Sequence, residues 1–501
     1  MNSCDRFGVT ESQLRSLVAE GLRAGGDWCD LYFEDTSYHD LLLRDGVVGS
    51  GGYHVDYGCG IRVLKGEKTG YAYAETTDYP SLLSAAKAAG AIAGGVEAAV
   101  GSENRSHPRL RKREGPADAV GGRGPAQQDV FRPKLPWNEA AMARYYDEKL
   151  SWEDAETAGF IPFLQRIEAG IRARDSRVLK VVAILSYSVS DILMYNSLGE
   201  LTTDHRPLGS LSVQVIFQQG ERTENNTVSR SLRMGAEFIS DAVLEDLVDR
   251  AVEGMDARFE ARRPKGGQMP VVMGAGASGI LLHEAMGHAF EADFNRKGQS
   301  IFSDRMGSRI CRPGINILDD ATVPASRGAC NYDDEGVPGQ KTYMVADGVL
   351  TSYLHDRISA GYYGVAPTGN GRRESFRYNP IPRMRATYME SGPDGTKEDL
   401  IASVKRGIYV DQFANGQVKI GEGDFTFFVK SGFLIEKGRL TMPVKDINII
   451  GNGPQALADI QAVAGDLRID EGTWTCGKEQ SVAVSCGIPS VLIGNLTVGG
   501  E

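Results

Sequence analysis

The chain has 501 residues, 41% of them hydrophobic, and a formal net charge of −11. That length can build large cores and favours two or three domains over one, while the acidic balance argues against nucleic acid as the main ligand, because phosphate neutralisation wants a basic face. No run of about 18 apolar residues asks for a membrane-spanning helix, no apolar core marks a secretory signal, and seven cysteines without a CxxC pair suit reduced thiols, so the expectation is a cytoplasmic protein that engages neither membrane nor nucleic acid.

Residues 1–110 read as an N-terminal α+β domain. An amphipathic helix over 11–24 precedes strand-like runs at 30–34, 40–48, 59–64 and 70–76, and an Ala-rich helix follows at 81–93. Residues 111–137 lack periodicity and are dense in Gly and Pro from 115 onward, as in a linker or loop excursion. The basic run at 109–113 reads as a solvated stretch.

A middle region spans 138–235. Helical patterns cover 138–158 and 162–173. From 177 to 233 the period changes to two, giving four strands of an antiparallel meander punctuated at 196–199, 205–209 and 219–221. The remainder, 236–501, is the C-terminal domain that carries the chemistry. It opens with an amphipathic helix over 238–259. After residue 300 come loops dense in Gly, Pro and Asp, strands at 425–429, 433–436, 439–443 and 447–450, a helix at 454–463, and a β-rich tail. The fold class expected is α+β: mainly antiparallel curved sheets with flanking helices, and a barrel-like C-terminal half.

The chain holds seven histidines, and two of them fall in Leu281-Leu-His283-Glu284-Ala-Met-Gly287-His288. Two imidazoles and an adjacent carboxylate are what a hydrolytic metal site needs: the rings hold a divalent ion, and Glu284 takes a proton from the attacking water. The familiar zinc helix spaces its histidines i, i+4. Here the spacing is i, i+5, about 140° apart, which a regular α-helix does not converge on one ion. A single π-turn does converge them, and such turns favour functional sites. Gly287 sits where the distortion falls.

Just upstream, Gly274-Ala-Gly276-Ala-Ser-Gly279 matches GxGxxG, with Glu291 and Asp293 near the spacing of a ribose-binding acid. The context fails, because both acids still belong to the helical pattern and no second buried strand follows. Glycines permitting a tight strand-to-helix turn explain these residues. A dinucleotide oxidoreductase is a poor third reading.

Two histidines need a further protein ligand. Cys476, among small residues in what reads as a loop, is a better candidate than the scattered remaining histidines. Cys486 reads as a buried strand-end residue. The chain resembles the TldD/PmbA metallopeptidases, on His283-Glu284-Ala-Met-Gly-His288 with its tail Phe290-Glu-Ala-Asp-Phe-Asn295, and on Gly421-Glu-Gly-Asp-Phe425, Ile449-Ile-Gly-Asn-Gly453 and Thr475-Cys-Gly-Lys478. The likeness runs from about residue 10 to the end and is most specific in 270–310 and 420–500. It implies zinc held by His283, His288 and Cys476, Glu284 as general base, short unstructured peptides as substrates, and a chamber between subunits. It also implies a catalytic TldD-type chain, acting as a homodimer or with a PmbA/TldE-type subunit that lacks the motif.

Thiolate with imidazole also suits Fe(II), so the metal stays open between zinc and iron. Glu291 and Asp293 are candidates to orient a ligand imidazole, and the arginines of 372–385 are candidates to bind a peptide carboxylate. With 61 glycines, many antiparallel strand signals and no sequence-specific pocket in evidence, an extended substrate added to a sheet edge by main-chain hydrogen bonds is the expected mode. A catalytically silent peptide- or metal-binding subunit is the alternative, and Glu284 argues against it.

Overall fold

A computed structural model describes residues 3–95 and 144–500. The expected linker at 111–137, the basic run at 109–113 and the start of the expected 138–158 helix lie outside the described residues. Among those described, no helix is long and apolar enough to cross a membrane, and all seven cysteines are free thiols.

The first half is organised by one six-stranded antiparallel sheet. Its strands are β1 (Trp28–Arg44), β2 (Val47–Lys65), β3 (Lys68–Ala74), β4 (Val178–Asn196), β5 (Leu201–Gln219) and β6 (Arg222–Leu232), in the order β3-β2-β1-β4-β5-β6. Residues 28–74 and 178–232 therefore share a sheet, through the pairing of β1 with β4.

Several strands are longer than their patterns suggested. Residues 30–34 and 40–48 belong mostly to one strand, which carries the polar stretch 35–39 because β2 and β4 pair it on both sides. Its hairpin turns at Asp45 and Gly46, with φ of 49° and 75°, the positive pair that a two-residue type I′ turn requires. The turn expected at 205–209 instead lies within β5. Pro207 is tolerated there because β6 begins pairing only at Gly209, so the missing N–H faces no partner strand. No helix forms from 144 to 156. That segment docks by its side chains, with Trp152 buried and donating to Met234 O, and Tyr146 donating to Asp204.

The side-chain alternation divides the sheet's two faces. Odd residues of β1 pack under helices: Leu31 and Phe33 beneath Glu11–Leu22 and Tyr79–Gly94, and Leu41 and Leu43 beneath Ile161–Arg174 and Asp241–Val252. The second of these helices was expected to reach residue 259, but it breaks at Glu253 and Gly254 (φ 70°) and resumes as Met255–Glu260. On the opposite face, Tyr32, Ile192 and Met194 pack against Phe376 of the C-terminal half. Farther along that face Ser186, Ser188, Ser210 and Ser212 are only half-buried, leaving a partly open polar surface.

The C-terminal half contains a closed five-strand barrel. Arg406–Lys419, Gly267–Met273, Val491–Gly499, Asn448–Asn452 and Asp424–Glu436 follow in order, and the last pairs back to the first. The expected strands at 425–429 and 433–436 are one strand here, and residues 454–463 divide into a short helix, Gly453–Ala458, and a strand, Ile460–Val463. A second sheet of six short strands includes Ile317–Asp320, Ala386–Met389 and Ser485–Ile488. The segment 280–290 shares one core with the barrel, burying Leu281, Leu282, Ala285, Met286 and Ala289 together with Val271, Met273, Val410 and Phe427.

Candidate metal centre

The strand Gly267–Met273 enters this segment through the Gly274-Ala-Gly276-Ala-Ser-Gly279 turn. Gly276 has φ 89°, and a Cβ on Gly279 would lie 2.6 Å from the Gly487 nitrogen. Those two glycines are thus accounted for by a left-handed turn and a close backbone approach. Ile280–Leu282 begins an α-helix, and His283–Gly287 then forms one turn of π-helix. The extra residue in that turn brings rings at i and i+5 to one face, with centroids 5.2 Å apart. Gly287 permits the packing, since a Cβ there would run into the Met384 sulfur.

Cys476 meets this face from 188 residues away, its Sγ 3.2 Å from His288 Nε2. Ligand atoms of His283, His288 and Cys476 all lie within 4.8 Å of one another, and all three residues are buried. Cys476 was expected in a loop. It sits in the strand Thr475–Lys478, which forms a hairpin with Gln480–Ala483. Cys486 lies on Ser485–Ile488, buried and not among the converging ligands, where burial pushes its thiol well above the usual range.

The donor set suits a soft divalent ion. Both ring nitrogens of His283 are buried and, the Cys476 thiol aside, have no hydrogen-bond partner among the described residues, a costly arrangement unless something accepts from or binds to them. Burial alone would raise the Cys476 thiol, but the adjacent His283 and then His288 outweigh it and hold the thiol at about 4. Imidazole and thiolate are both zinc ligands, and three protein ligands would leave one tetrahedral position for water or substrate.

Glu291 is completely buried behind His288. Its Oε2 accepts from His288 Nδ1 at 3.0 Å, which turns Nε2 toward the thiolate. The same oxygen pairs with Lys478 Nζ at 3.0 Å, and Oε1 lies 3.8 Å from Arg383 Nε. Burial opposes the charge, but Lys478 and then His288 hold the Glu291 carboxyl down at about 2. Asp293 touches no imidazole and instead accepts from Lys478 at 2.8 Å. Arg383 donates to Cys476 O and Gln480 O, at 2.7 and 2.8 Å, fixing the hairpin. Lys478 was quoted only as part of a motif, and Arg383 only as an anion binder. Arg372, Arg373 and Arg385 are likewise buried rather than open to a ligand.

Glu284 is half-buried, and its carboxylate makes no hydrogen bond among the described residues. One edge of the Cys476 hairpin is open. The bond from Val484 N–H to Trp474 O fixes the ladder's alternation, so the main-chain groups of Thr475 and Gly477 point away from the partner strand. Both residues are exposed, no other described strand pairs there, and a Cβ on Gly477 would meet nothing within 4 Å.

Comparison with known proteins covers almost the whole chain. Sequence models for PmbA/TldA metallopeptidase domain 1, the central domain and the C-terminal domain match residues 29–93, 147–255 and 266–500. A "Metalloprotease TldD homolog" from Haemophilus influenzae is 37% identical over 484 residues, covering 95% of this chain and 93% of that protein. A "Zinc metalloprotease TldD homolog" from Saccharolobus solfataricus is 33% identical over 298 residues, 58% of this chain and 65% of that one. Among solved structures, a putative modulator of a DNA gyrase from Thermotoga maritima aligns with a TM-score of 0.73 at 20% identity, covering 98% of this chain and 100% of that one. TldE from Thermococcus kodakarensis aligns with a TM-score of 0.70 at 18% identity, covering 97% and 100%. At such identities these structures speak to the fold alone.

Proposed function

The chain belongs to the PmbA/TldD metallopeptidase family, and from that premise we propose that it hydrolyses short or unfolded peptides, with an ion held by His283, His288 and Cys476 and with Glu284 as general base. The observation that carries the reading is the convergence of the three ligand atoms, because it needs both a π-turn and a distant hairpin.

A divalent ion, zinc before iron on this donor set, would polarise the scissile carbonyl and bring the pKa of a water toward neutrality. Glu284, next to His283 and without a hydrogen bond among the described residues, accepts the proton of the attacking water and passes it to the leaving amine. Glu291 keeps the His288 ring oriented, and Lys478 and Arg383 keep Glu291 charged in a buried site. The open edge at Thr475 and Gly477 gives an extended substrate main-chain partners one residue from Cys476, which favours unfolded peptides of many sequences. The free thiols are consistent with a cytoplasmic location, and the family resemblance supports a homodimer or a heterodimer with a TldE-type chain.

The test is turnover of an unstructured peptide library by zinc-loaded protein, alone and with a candidate partner, beside Glu284→Gln. The variant is expected to keep its metal and fold and to lose at least about 100-fold in rate. Near-normal turnover by Glu284→Gln removes the mechanism. An inert wild type, with every partner tried, favours the silent-subunit reading.

A further inference from the structure

Arg327 lies where the half-open face of the first sheet meets the hairpin that carries Cys476. Its Nε donates to Trp474 O at 2.8 Å, Nη1 to Ser231 Oγ at 2.8 Å and Ser210 Oγ at 3.2 Å, and Nη2 to Thr475 Oγ1 at 3.3 Å. A guanidinium carries five N–H groups. Four are used here, on neutral acceptors, so Nη2 keeps one without a partner among the described residues. No carboxylate among the described residues lies within 4 Å. Burial and then the charge of Arg233 lower its pKa to about 10, which leaves it cationic at neutral pH.

Arg327 is half-buried, and a charge so placed is more stable when a carboxylate meets it. Some of the chain's buried arginines are paired with carboxylates, Arg62 with Asp30 and Glu335, and Arg206 with Asp204 and Asp334. Arg233, Arg372 and Arg385 have no carboxylate within 4 Å among the described residues, but all three are buried, and the terminal nitrogens of Arg372 end on main-chain carbonyls of Met384 and Ala483. Arg327 differs because Thr475, its longest-range partner, is exposed and stands on the open hairpin edge.

We propose that Arg327 binds a carboxylate of the peptide substrate, either the C-terminal carboxylate or an Asp or Glu side chain, on a chain lying along residues 475–477. The proposal rests on the peptidase reading for the identity of its ligand. A peptide on that edge passes Arg327 one residue from Cys476, so the anion stands beside the bond to be cut. The 3.3 Å contact with the Thr475 hydroxyl gives way, and both Nη2 hydrogens then face the incoming oxygens. Ser210, Ser231 and the Trp474 carbonyl keep the guanidinium in place while this happens.

The experiment uses the zinc-loaded full chain carrying Glu284→Gln, so that binding is read without turnover. Fluorescence anisotropy is measured with one labelled unstructured peptide in four forms: with or without a free C-terminal carboxylate, and with its acidic side chains kept or replaced by Asn and Gln. Adding Arg327→Gln is expected to weaken binding of the two forms that carry the recognised carboxylate by about tenfold or more, the usual weight of a charge-assisted pair, and to leave the two forms without it unchanged. The pair that responds identifies the carboxylate. Arg327→Lys should retain part of the preference, and Thr475→Val all of it, so the question does not hang on one variant's folding. Equal weakening of all four forms, or of none, would overturn the proposal, as would loss of the preference in Thr475→Val. A wild type that discriminates carboxylates through Arg327 yet cleaves nothing would refute the peptidase reading and leave the binding site standing.

Discussion

Replacing Glu291 by glutamine removes one charge and almost no volume, from a side chain that no solvent reaches. In the wild type a single oxygen serves both His288 Nδ1 and Lys478 Nζ, each at 3.0 Å. The amide offers one oxygen and one donor, so it can face the imidazole correctly only by turning its NH2 toward Arg383, whose donor already points there. Outer partners of a ligand histidine typically matter by about 10–100-fold in metal affinity, or about 1.4–2.8 kcal/mol. Lys478 keeps Asp293, at 2.8 Å, so the loss of fold stability should fall below the about 3–5 kcal/mol seen when a buried charge has no partner left. Zinc affinity is read by competition with a chromophoric chelator, and thermal unfolding of the metal-free protein separates the two effects. Asp293→Asn is the control, because it disturbs Lys478 without touching an imidazole and should lose far less affinity. A Glu291→Gln protein that folds normally and binds zinc within about twofold of wild type would refute the reasoning.

Metal binding should also move a proton. With no ion bound, burial alone would keep His288 neutral, but Glu291 and then Cys476 push its imidazole up to about 10, while Cys476 stays a thiolate above about 4. At pH 7 the ring is therefore protonated, and a cation that takes Nε2 must displace that proton. Zinc should release about one proton at pH 7 and gain about tenfold in apparent affinity per pH unit up to about pH 10. Calorimetry in buffers of different ionisation enthalpy reads this directly, and zero net release would contradict it. Gly287→Ala should place a methyl group against Met384 and cost about 1–3 kcal/mol of overpacking. Its thermal midpoint should fall and be partly restored by Met384→Ala, whereas an unchanged midpoint would argue against the close approach.

What could be read from the chain in advance was local. The i, i+5 spacing of His283 and His288 requires the distortion that His283–Gly287 displays, because helix geometry alone decides which rings can meet. The glycine turn at 274–279 was likewise legible from backbone freedom. The polar residues 35–39 and the glycines 49–52 looked like breaks, yet pairing on the β4 side and on β1 carries the strands through them. Tertiary context overrides β-propensity in this way. The 454–463 pattern failed because Ile460–Val463 is drawn into pairing with Val491–Gly499. The surroundings of the metal centre were least visible. Lys478 and Arg383 reach Glu291 across long sequence separations, and no local pattern separates such buried cations from surface ones.

The account stands most directly on where an ion binds. Crystals grown with zinc and measured on both sides of the zinc absorption edge should give one strong anomalous peak in the pocket. It should lie about 2.0–2.1 Å from a nitrogen of His283 and of His288 and about 2.3 Å from the sulfur of Cys476. A peak ligated by Cys486, or placed away from both histidines, would contradict the account.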